Sequence, residues 1–245
     1  MSLPMAQKPL CFLDVETTGL AEWEGHEPVE VAFIIEPAPG TKLIQRCLDG
    51  RRPVDLAEPI THFEGHFTPF PYRVSTERGT KLEEGECVVK RFSYLSKIKP
   101  QNLEVAEEKA LEINGYAAHP EKWDHAPTFD EIAEALHEAL KPCVLVGHNI
   151  SFDVRFLRAA FIRAGIQPRF GYHLVDTVTL AYEHLLPAGV GRVSLDTVRK
   201  FLGWETEGAH TALKDTEDAR RLYYRLLRAT WRERLWWNLR GRWSK

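Results

Sequence analysis

Near the N-terminus, residues 11–19 read CFLDVETTG, an apolar segment that carries two carboxylates and ends in two threonines and a glycine. Side chains alternate between the two faces of a β-strand, so Asp14 and Glu16 would share one face, opposite Val15. Two carboxylates about 7 Å apart on one face repel each other and lose hydration when buried. A cation between them would offset both costs. The segment therefore predicts a buried strand that ends at a cation site, with an edge strand whose acidic face meets water as the alternative.

Two later segments supply partners for such a site. Residues 144–153 read VLVGHNISFD, which predicts a second apolar strand running into a helix that carries Asp153. Residues 210–215 read HTALKD and open the last long helix with His210 and Asp215. The chain thus offers four carboxylates and a histidine from three separate elements.

The order and spacing of these segments resemble the DEDDh group of the RNase H-like 3′–5′ exonucleases, which includes polymerase III epsilon-type proofreading subunits, exonuclease X and RNase T. The matching motifs are Asp14-x-Glu16, His148-Asn149-x-x-Phe152-Asp153 and His210-x4-Asp215. A histidine five residues before the last aspartate marks this subgroup, whereas a sister subgroup has a tyrosine four residues before it. One such motif is a weak signal, but three in the same order at compatible spacing are specific.

The resemblance implies a site for two divalent cations, Mg²⁺ or Mn²⁺, which prefer hard oxygen ligands. By that resemblance Asp14 bridges both ions, while Glu16 and Asp215 complete the inner site around the attacking water. Asp153 helps to hold the outer ion. His210 is the expected general base, because an imidazole titrates near neutral pH. The expected metal ligands are therefore the four carboxylates, with Glu16 and His210 as the catalytic residues.

The resemblance also implies contacts with the 3′-terminal nucleotide. Thr17, Thr18 and Leu20 stand where the family contacts that nucleotide. Backbone and hydroxyl groups near Thr17 would hold the 3′-OH, and Leu20 would wedge against the last base. His148 and Asn149, at the start of the second motif, would either touch the substrate or brace the loop. All five are expected to be substrate-binding residues.

The predicted order of elements is three strands followed by helix, strand, helix, strand and helix. This order fits the RNase H-like α/β fold, a mixed five-stranded sheet flanked by helices with the first strand at its centre. Residues 37–90 contain recurrent prolines and no long hydrophobic period, so they predict a loop-rich insertion between strands 2 and 3. Residues 1–235 are expected to form the exonuclease domain, insertion included, and residues 236–245 a basic, tryptophan-rich tail.

The composition favours a globular protein in a reducing compartment. Hydrophobic residues make up 44% of the 245 residues, which is enough for a sizeable core. No run approaches the roughly 18 apolar residues of a membrane span, and the N-terminus lacks the apolar stretch of a signal peptide. The four cysteines are far apart, which favours the cytoplasm over a disulfide scaffold. The net charge of −3 argues against a general nucleic-acid coat, so metal ions and local contacts would hold an anionic substrate.

The C-terminal residues depart from this acidic balance. Four of the seven tryptophans lie in the last fifteen residues and interleave with arginines. These tryptophans are Trp231, Trp236, Trp237 and Trp243, and the arginines are Arg232, Arg234, Arg240 and Arg242. Arginines beside aromatic rings suit stacking on a single strand or an interface with a polymerase or other protein. Core capping is the third interpretation, with Trp231 as its first candidate.

Together these features predict a metal-dependent 3′–5′ exonuclease that releases nucleoside 5′-monophosphates from single-stranded or frayed DNA, in proofreading or repair. A 3′–5′ exoribonuclease that trims RNA ends is the alternative, because the motifs are shared and no residue reports on the 2′-OH. A polymerase-docking subunit with incidental nuclease residues is the alternative of another class. The intact set of four acids and a histidine argues against that last reading.

Overall fold

The computed structural model describes residues 3–46, 60–61, 72–77, 79–230, 232–233, 235 and 237. In these ranges the strands are β1 (Leu10–Thr17), β2 (Pro28–Glu36), β3 (Lys42–Arg46), β4 (Ile60–Thr61), β5 (Tyr72–Ser75), β6 (Glu86–Val89), β7 (Phe92–Lys97), β8 (Val144–Gly147) and β9 (Leu174–Asp176). The α-helices are α1 (Glu108–Ile113), α2 (Phe129–Leu140), α3 (Ile150–Arg163), α4 (Thr177–Leu185), α5 (Leu195–Leu202) and α6 (Ala212–Leu227). None of the helices in these ranges combines the length and the apolarity needed to cross a membrane.

The main sheet contains the five predicted strands, with β1 inside it. Its strand order is β4-β7-β2-β1-β8-β9. The sheet is mixed, because β1 runs antiparallel to β2 and parallel to β8. Strand β9 extends it beyond β8, and the two-residue β4 adds an edge beside β7. The predicted RNase H-like arrangement, a mixed five-stranded sheet flanked by helices, is confirmed.

The two faces of β1 pack against different helices. Leu13 and Val15 belong to the larger apolar core, which α2 and α3 complete. Phe12 lies on the other face, where its ring centroid is 5.5 Å from that of Tyr223 in α6. The two carboxylates of β1 alternate with Leu13 and Val15, so they share the α6 side of the sheet with Phe12.

A second apolar cluster joins α4, α5 and α6 and includes a residue from beyond α6. Its buried members are Ala181, Leu185, Ala188, Val190, Leu195, Val198, Leu222, Leu226 and Trp237. Trp237 is 2% exposed, and the guanidinium of Arg225 lies 5.2 Å from its ring centroid. Trp237 therefore caps the core and does not offer its ring to a substrate or partner. Trp231, Trp236 and Trp243 lie outside the described residues, as do Arg234, Arg240 and Arg242.

The insertion contains more regular structure than its sequence predicted. Its described residues form a three-stranded antiparallel sheet in the order β5-β3-β6. The Tyr72 hydroxyl donates a hydrogen bond of 2.8 Å to the carbonyl of Ala139, which fastens this small sheet to α2. Strands of four or five residues carry too little periodicity to be recognised between long irregular segments. The predictions for residues 47–59, 62–71 and 78 lie outside the described part of the chain.

Candidate active site

Three carboxylates converge where β1 meets the first turn of α6. One oxygen from each of Asp14, Glu16 and Asp215 lies within 4.8 Å of the other two. Asp14 and Glu16 occupy alternate positions of β1, and Asp215 lies in the first turn of α6. All three side chains are partly buried. The structure thus brings together three of the four carboxylates that the motifs indicated.

Glu30 on β2 holds the start of α6 against the sheet. Its Oε1 accepts a hydrogen bond of 3.0 Å from the backbone N–H of Ala212. Its Oε2 accepts one of 2.6 Å from the ammonium of Lys97 on β7. A buried carboxylate at a helix N-terminus stabilises the helix, because it satisfies an N–H that has no partner within the helix. Glu30 thereby helps to position Asp215, three residues further along α6.

Asp153 lies beside this trio and contacts β1 through the backbone. Its Oδ1 accepts a hydrogen bond of 2.9 Å from the N–H of Val15, the residue between the two acids of β1. The Asp153 side chain is buried, and the bond ties the start of α3 to β1. In the described ranges, the group of converging ligand atoms consists of Asp14, Glu16 and Asp215 and does not include Asp153.

The crowding of carboxylates raises their pKa values. Burial is the main cause for Asp14, whose pKa lies well above its usual range, and the charges of Asp153 and Glu16 raise it further. Burial likewise raises the pKa of Glu16 to about 8, with the charges of Asp215 and Glu30 as the next causes. Burial also raises the pKa values of Asp153 and Asp215. Burial thus disfavours the charged form of all four acids.

A hard divalent cation fits this set of donors. Mg²⁺ and Mn²⁺ bind carboxylate oxygens, water and phosphate oxygens, whereas thiols and imidazoles suit softer metals. The converging donors of the trio are all carboxylates. A bound cation would favour the charged form of these acids, against the effect of burial. The residues present therefore fit the divalent ions that the sequence predicted.

Arg199 belongs to the site although none of the motifs includes it. This side chain, in the last turn of α5, is fully buried. Its Nη2 lies 2.6 Å from Oδ1 of Asp215, and its Nε lies 2.7 Å from Oδ2 of Asp218. Its Nη1 completes the set with Oδ1 of Asp196 at 2.8 Å. The positive charge lowers the pKa of Asp215, against the larger effect of burial, and orients that carboxylate.

His210 lies beside the trio on the loop that precedes α6. Its φ of 65° is in the left-handed region, which is uncommon for residues other than glycine. Its backbone N–H donates to Oδ1 of Asp215 at 3.3 Å. Its ring Nε2 lies 3.4 Å from Oδ2 of Asp196, and the side chain is 47% exposed. The imidazole is therefore anchored by a carboxylate and remains open to solvent at the edge of the site.

The two threonines after β1 use their hydroxyl groups inside the protein. The Thr17 hydroxyl donates to the carbonyl of Gly19 at 2.7 Å. The Thr18 hydroxyl accepts a hydrogen bond of 2.8 Å from the N–H of Glu27, and Thr18 is fully buried. Leu20 differs from them, because 66% of its surface is exposed. Of these three predicted substrate-binding residues, Leu20 is the one whose side chain faces solvent.

His148 connects three elements near the end of β8. Its Nδ1 lies 2.9 Å from the hydroxyl of Thr177 at the start of α4, and its Nε2 donates to the carbonyl of Val193 at 2.7 Å. Burial lowers its pKa, which favours the neutral ring. Asn149 has a φ of 67°, and its N–H donates to Oδ1 of Asp176 at 3.0 Å. These contacts hold the loop between β8 and α3 against the start of α4 and the residues before α5.

Comparison with known proteins places the chain among nucleases. A family profile described as "Exonuclease" matches residues 75–223, which is more than half of the chain. The chain is 48% identical over 42 residues to the 3′–5′ exonuclease DinG of Staphylococcus epidermidis, covering 17% of this chain and 5% of that protein. It is 28% identical over 148 residues to the PolC-type DNA polymerase III of Bacillus cereus, covering 60% of this chain and 10% of that protein. The chain thus corresponds to a small part of these relatives.

Solved structures share the fold at low sequence identity. Escherichia coli exonuclease I in complex with a dA16 oligonucleotide aligns with a TM-score of 0.57 and 17% identity, over 90% of this chain and 40% of that chain. The nuclease domain of 3′hExo, a DEDDh family member bound to rAMP, aligns with a TM-score of 0.55 and 14% identity, over 90% of this chain and 92% of that chain. Both alignments cover most of the chain and support the fold described above.

Proposed function

Because the chain belongs to the exonuclease family, as a DEDDh-type 3′–5′ exonuclease with the RNase H-like fold, we propose that it hydrolyses phosphodiester bonds from the 3′ end of DNA and releases nucleoside 5′-monophosphates. The observation that carries this proposal is the convergence of Asp14, Glu16 and Asp215 at the end of β1. Single-stranded or frayed ends are the proposed substrate, because a strand end must reach carboxylates that are partly buried.

Four carboxylates would hold two divalent cations, Mg²⁺ or Mn²⁺. Asp14, Glu16, Asp153 and Asp215 would serve as the ligands of these ions. When bound, such ions supply a nucleophilic water and neutralise charge on the phosphate. Arg199 holds one oxygen of Asp215 at 2.6 Å and so orients that ligand.

His210 is the proposed general base. Its ring is open to solvent, and Asp196 lies 3.4 Å from Nε2, where it would stabilise the imidazolium formed when the ring takes a proton from the attacking water. Its backbone N–H, bonded to Asp215, keeps the loop close to the carboxylates. The proton would then pass from the ring to solvent.

The terminal nucleotide would lie against the turn after β1. Leu20 exposes its side chain there and would pack against the last base. Thr17 and Thr18 would help to bind the terminal nucleotide by fixing the shape of the turn, because their hydroxyls bond within the turn. His148 and Asn149 would act on the substrate by fixing the loop between β8 and α3.

DNA is the first choice of substrate because the name of one relative and the ligand of one structural neighbour point to DNA. DinG is described as a 3′–5′ exonuclease, PolC as a DNA polymerase, and the exonuclease I neighbour holds a DNA oligonucleotide. RNA is the second candidate, because the 3′hExo neighbour holds rAMP. The PolC relatives also support a polymerase as a protein partner, and the dispersed cysteines favour the cytoplasm as the compartment.

The deciding experiment compares DNA and RNA oligonucleotides with identical sequences. Each is labelled at its 5′ end and incubated with Mg²⁺, Mn²⁺ or EDTA, and products are resolved at single-nucleotide steps. We expect a ladder shortening from the 3′ end, faster on DNA, that disappears in EDTA and in Asp14→Asn. Cleavage of a circular single strand, or undiminished activity in Asp14→Asn, would contradict the proposal.

A further inference from the structure

The turn after β1 is a closed and rigid segment. Thr18 and Glu27 close it with two hydrogen bonds, from Thr18 N–H to the Glu27 carbonyl at 2.9 Å and from Glu27 N–H to the Thr18 hydroxyl at 2.8 Å. His26 fills its middle, accepting from the N–H of Ala21 at 3.0 Å through Nδ1. A Cβ on Gly19 would lie 2.4 Å from the His26 ring, so the backbone packs directly on the imidazole.

The segment is also anchored from outside. His26 Nε2 donates to the carbonyl of Val105 at 2.9 Å, and the N–H of Leu20 donates to Oε1 of Glu107 at 3.0 Å. The backbone N–H of Glu107 in turn donates to the carbonyl of Thr18 at 2.8 Å. A surface residue in this segment is therefore held by a network of hydrogen bonds and keeps its position when a ligand approaches.

This rigid segment presents a large aromatic side chain to solvent. Trp23 is 71% exposed, three residues after the exposed Leu20. It lies in the 3₁₀ turn Glu22–Glu24, which packs against α3. Side chains of this size dominate binding surfaces when they are exposed on a fixed backbone, because a partner can bury them at little entropic cost.

A cation lies beside the tryptophan. The guanidinium of Arg155 on α3 is 5.9 Å from the Trp23 ring centroid and 6.0 Å from that of Phe152. Its Nη1 is 3.6 Å from Oε1 of Glu22, which is longer than a hydrogen bond. The other oxygen of Glu22 is buried and has no hydrogen-bond partner. Arg155 is thus loosely held and can turn its donors toward an anion.

Trp23 and Arg155 lie close along the chain to the carboxylates. Arg155 follows Asp153 by two residues on α3, and the segment that carries Trp23 continues directly from β1. An aromatic face, an arginine and a neighbouring hydrolytic site suit one ligand class, a single nucleic-acid strand whose base stacks and whose phosphate pairs with the guanidinium. A protein partner would need a much larger surface than two side chains.

We propose that Trp23 and Arg155 form a subsite for the nucleotide upstream of the 3′-terminal one. Trp23 stacks on the base of that nucleotide, and Arg155 contacts its phosphate. Stacking accepts every base, so the subsite contributes affinity for single strands without reading sequence. The inference rests on the proposed exonuclease function for the direction in which the strand enters.

Binding in EDTA tests the subsite independently of hydrolysis. The probe is an oligodeoxythymidine with 2-aminopurine next to its 3′-terminal nucleotide, because 2-aminopurine loses fluorescence when it stacks. We expect the wild-type chain to quench it, Trp23→Phe to retain most of the quenching, and Trp23→Ala to bind roughly 5- to 100-fold more weakly. Tyr172→Ala, which removes an aromatic side chain that is 83% exposed, is the matched control and should bind as wild type does. Arg155→Gln should reduce the slope of log affinity against log salt concentration by about one, because one phosphate contact is lost.

Turnover supplies the second readout. Thymidine 5′-(4-nitrophenyl phosphate) has no upstream nucleotide, so Trp23→Ala should leave its kcat/KM unchanged while raising KM on the oligonucleotide. Equal quenching by wild type and Trp23→Ala, or equal losses on both substrates, would overturn the subsite. If the wild type hydrolyses neither substrate and still shows Trp23-dependent quenching, the exonuclease proposal fails and the subsite stands.

Discussion

The raised pKa of Glu16 makes the metal-free protein sensitive to pH. Burial and neighbouring carboxylates raise this pKa from 4.5 to about 8. A carboxyl group with a higher pKa in the folded state binds more protons folded than unfolded between these two values. Its contribution to the free energy of unfolding is therefore complete below pH 4.5 and falls as the pH rises through 8.

The size of this effect follows from the shift. A difference of 3.5 pKa units, from 4.5 to 8, corresponds to about 5 kcal/mol at 1.36 kcal/mol per unit. Between pH 5.5 and 8.5 the Glu16 contribution should fall by about 3 kcal/mol. Glu16→Gln preserves the shape of the side chain and removes its titration. The variant should thus be more stable than wild type at pH 8.5 in EDTA, by an amount that shrinks toward pH 5.5.

Urea unfolding followed by tryptophan fluorescence measures the difference. Wild type and Glu16→Gln are compared in EDTA at pH 5.5, 7 and 8.5, with Glu134→Gln on the exposed side of α2 as the control. Excess Mn²⁺ should narrow the difference at pH 8.5, because a ligand at 100 times its Kd stabilises wild type by about 2.7 kcal/mol. Parallel pH curves for wild type and Glu16→Gln in EDTA would refute the crowding of charges as the cause.

Other parts of the site lead to different expected outcomes. His210→Ala should slow turnover roughly 10²- to 10⁴-fold, while calorimetric Mn²⁺ affinity stays the same. Arg199→Met should lower the free energy of unfolding by about 3–5 kcal/mol, because it leaves buried aspartates unpaired. Lys141→Met, which removes an exposed pair with Glu138, should cost less than about 1 kcal/mol in the same urea titration. A 3′-phosphate should slow release of the first nucleotide about tenfold relative to a 3′-OH, in a single-turnover assay, because a hydrogen bond to the hydroxyl is lost. Unchanged turnover rates, unfolding midpoints or first-step rates would contradict these three assignments respectively.

The sequence alone determined the central strand, the family resemblance and the general architecture. The alternation in residues 11–19 is a local property, because the pleat of a strand sends every second side chain to one face. The same stretch placed Asp14 and Glu16 on one side before any partner was known. The order of the three motifs carried the resemblance, which the exonuclease family match confirms. The strand alternation and each single motif can be recognised in the sequence because each depends on residues that are close together in the chain.

The tertiary structure decided which side chains surround those carboxylates. Arg199 looks like an ordinary basic residue of a helix end, and only the packing of α5 against α6 shows that it binds Asp215. Glu30 meets the N–H of Ala212 because α6 packs across β2 on the face of the sheet that carries the Glu30 side chain. Trp237 is buried by a cluster from three helices. These contacts join residues far apart in sequence, and their partners are set by strand order and helix crossing, which leave no local periodicity to read.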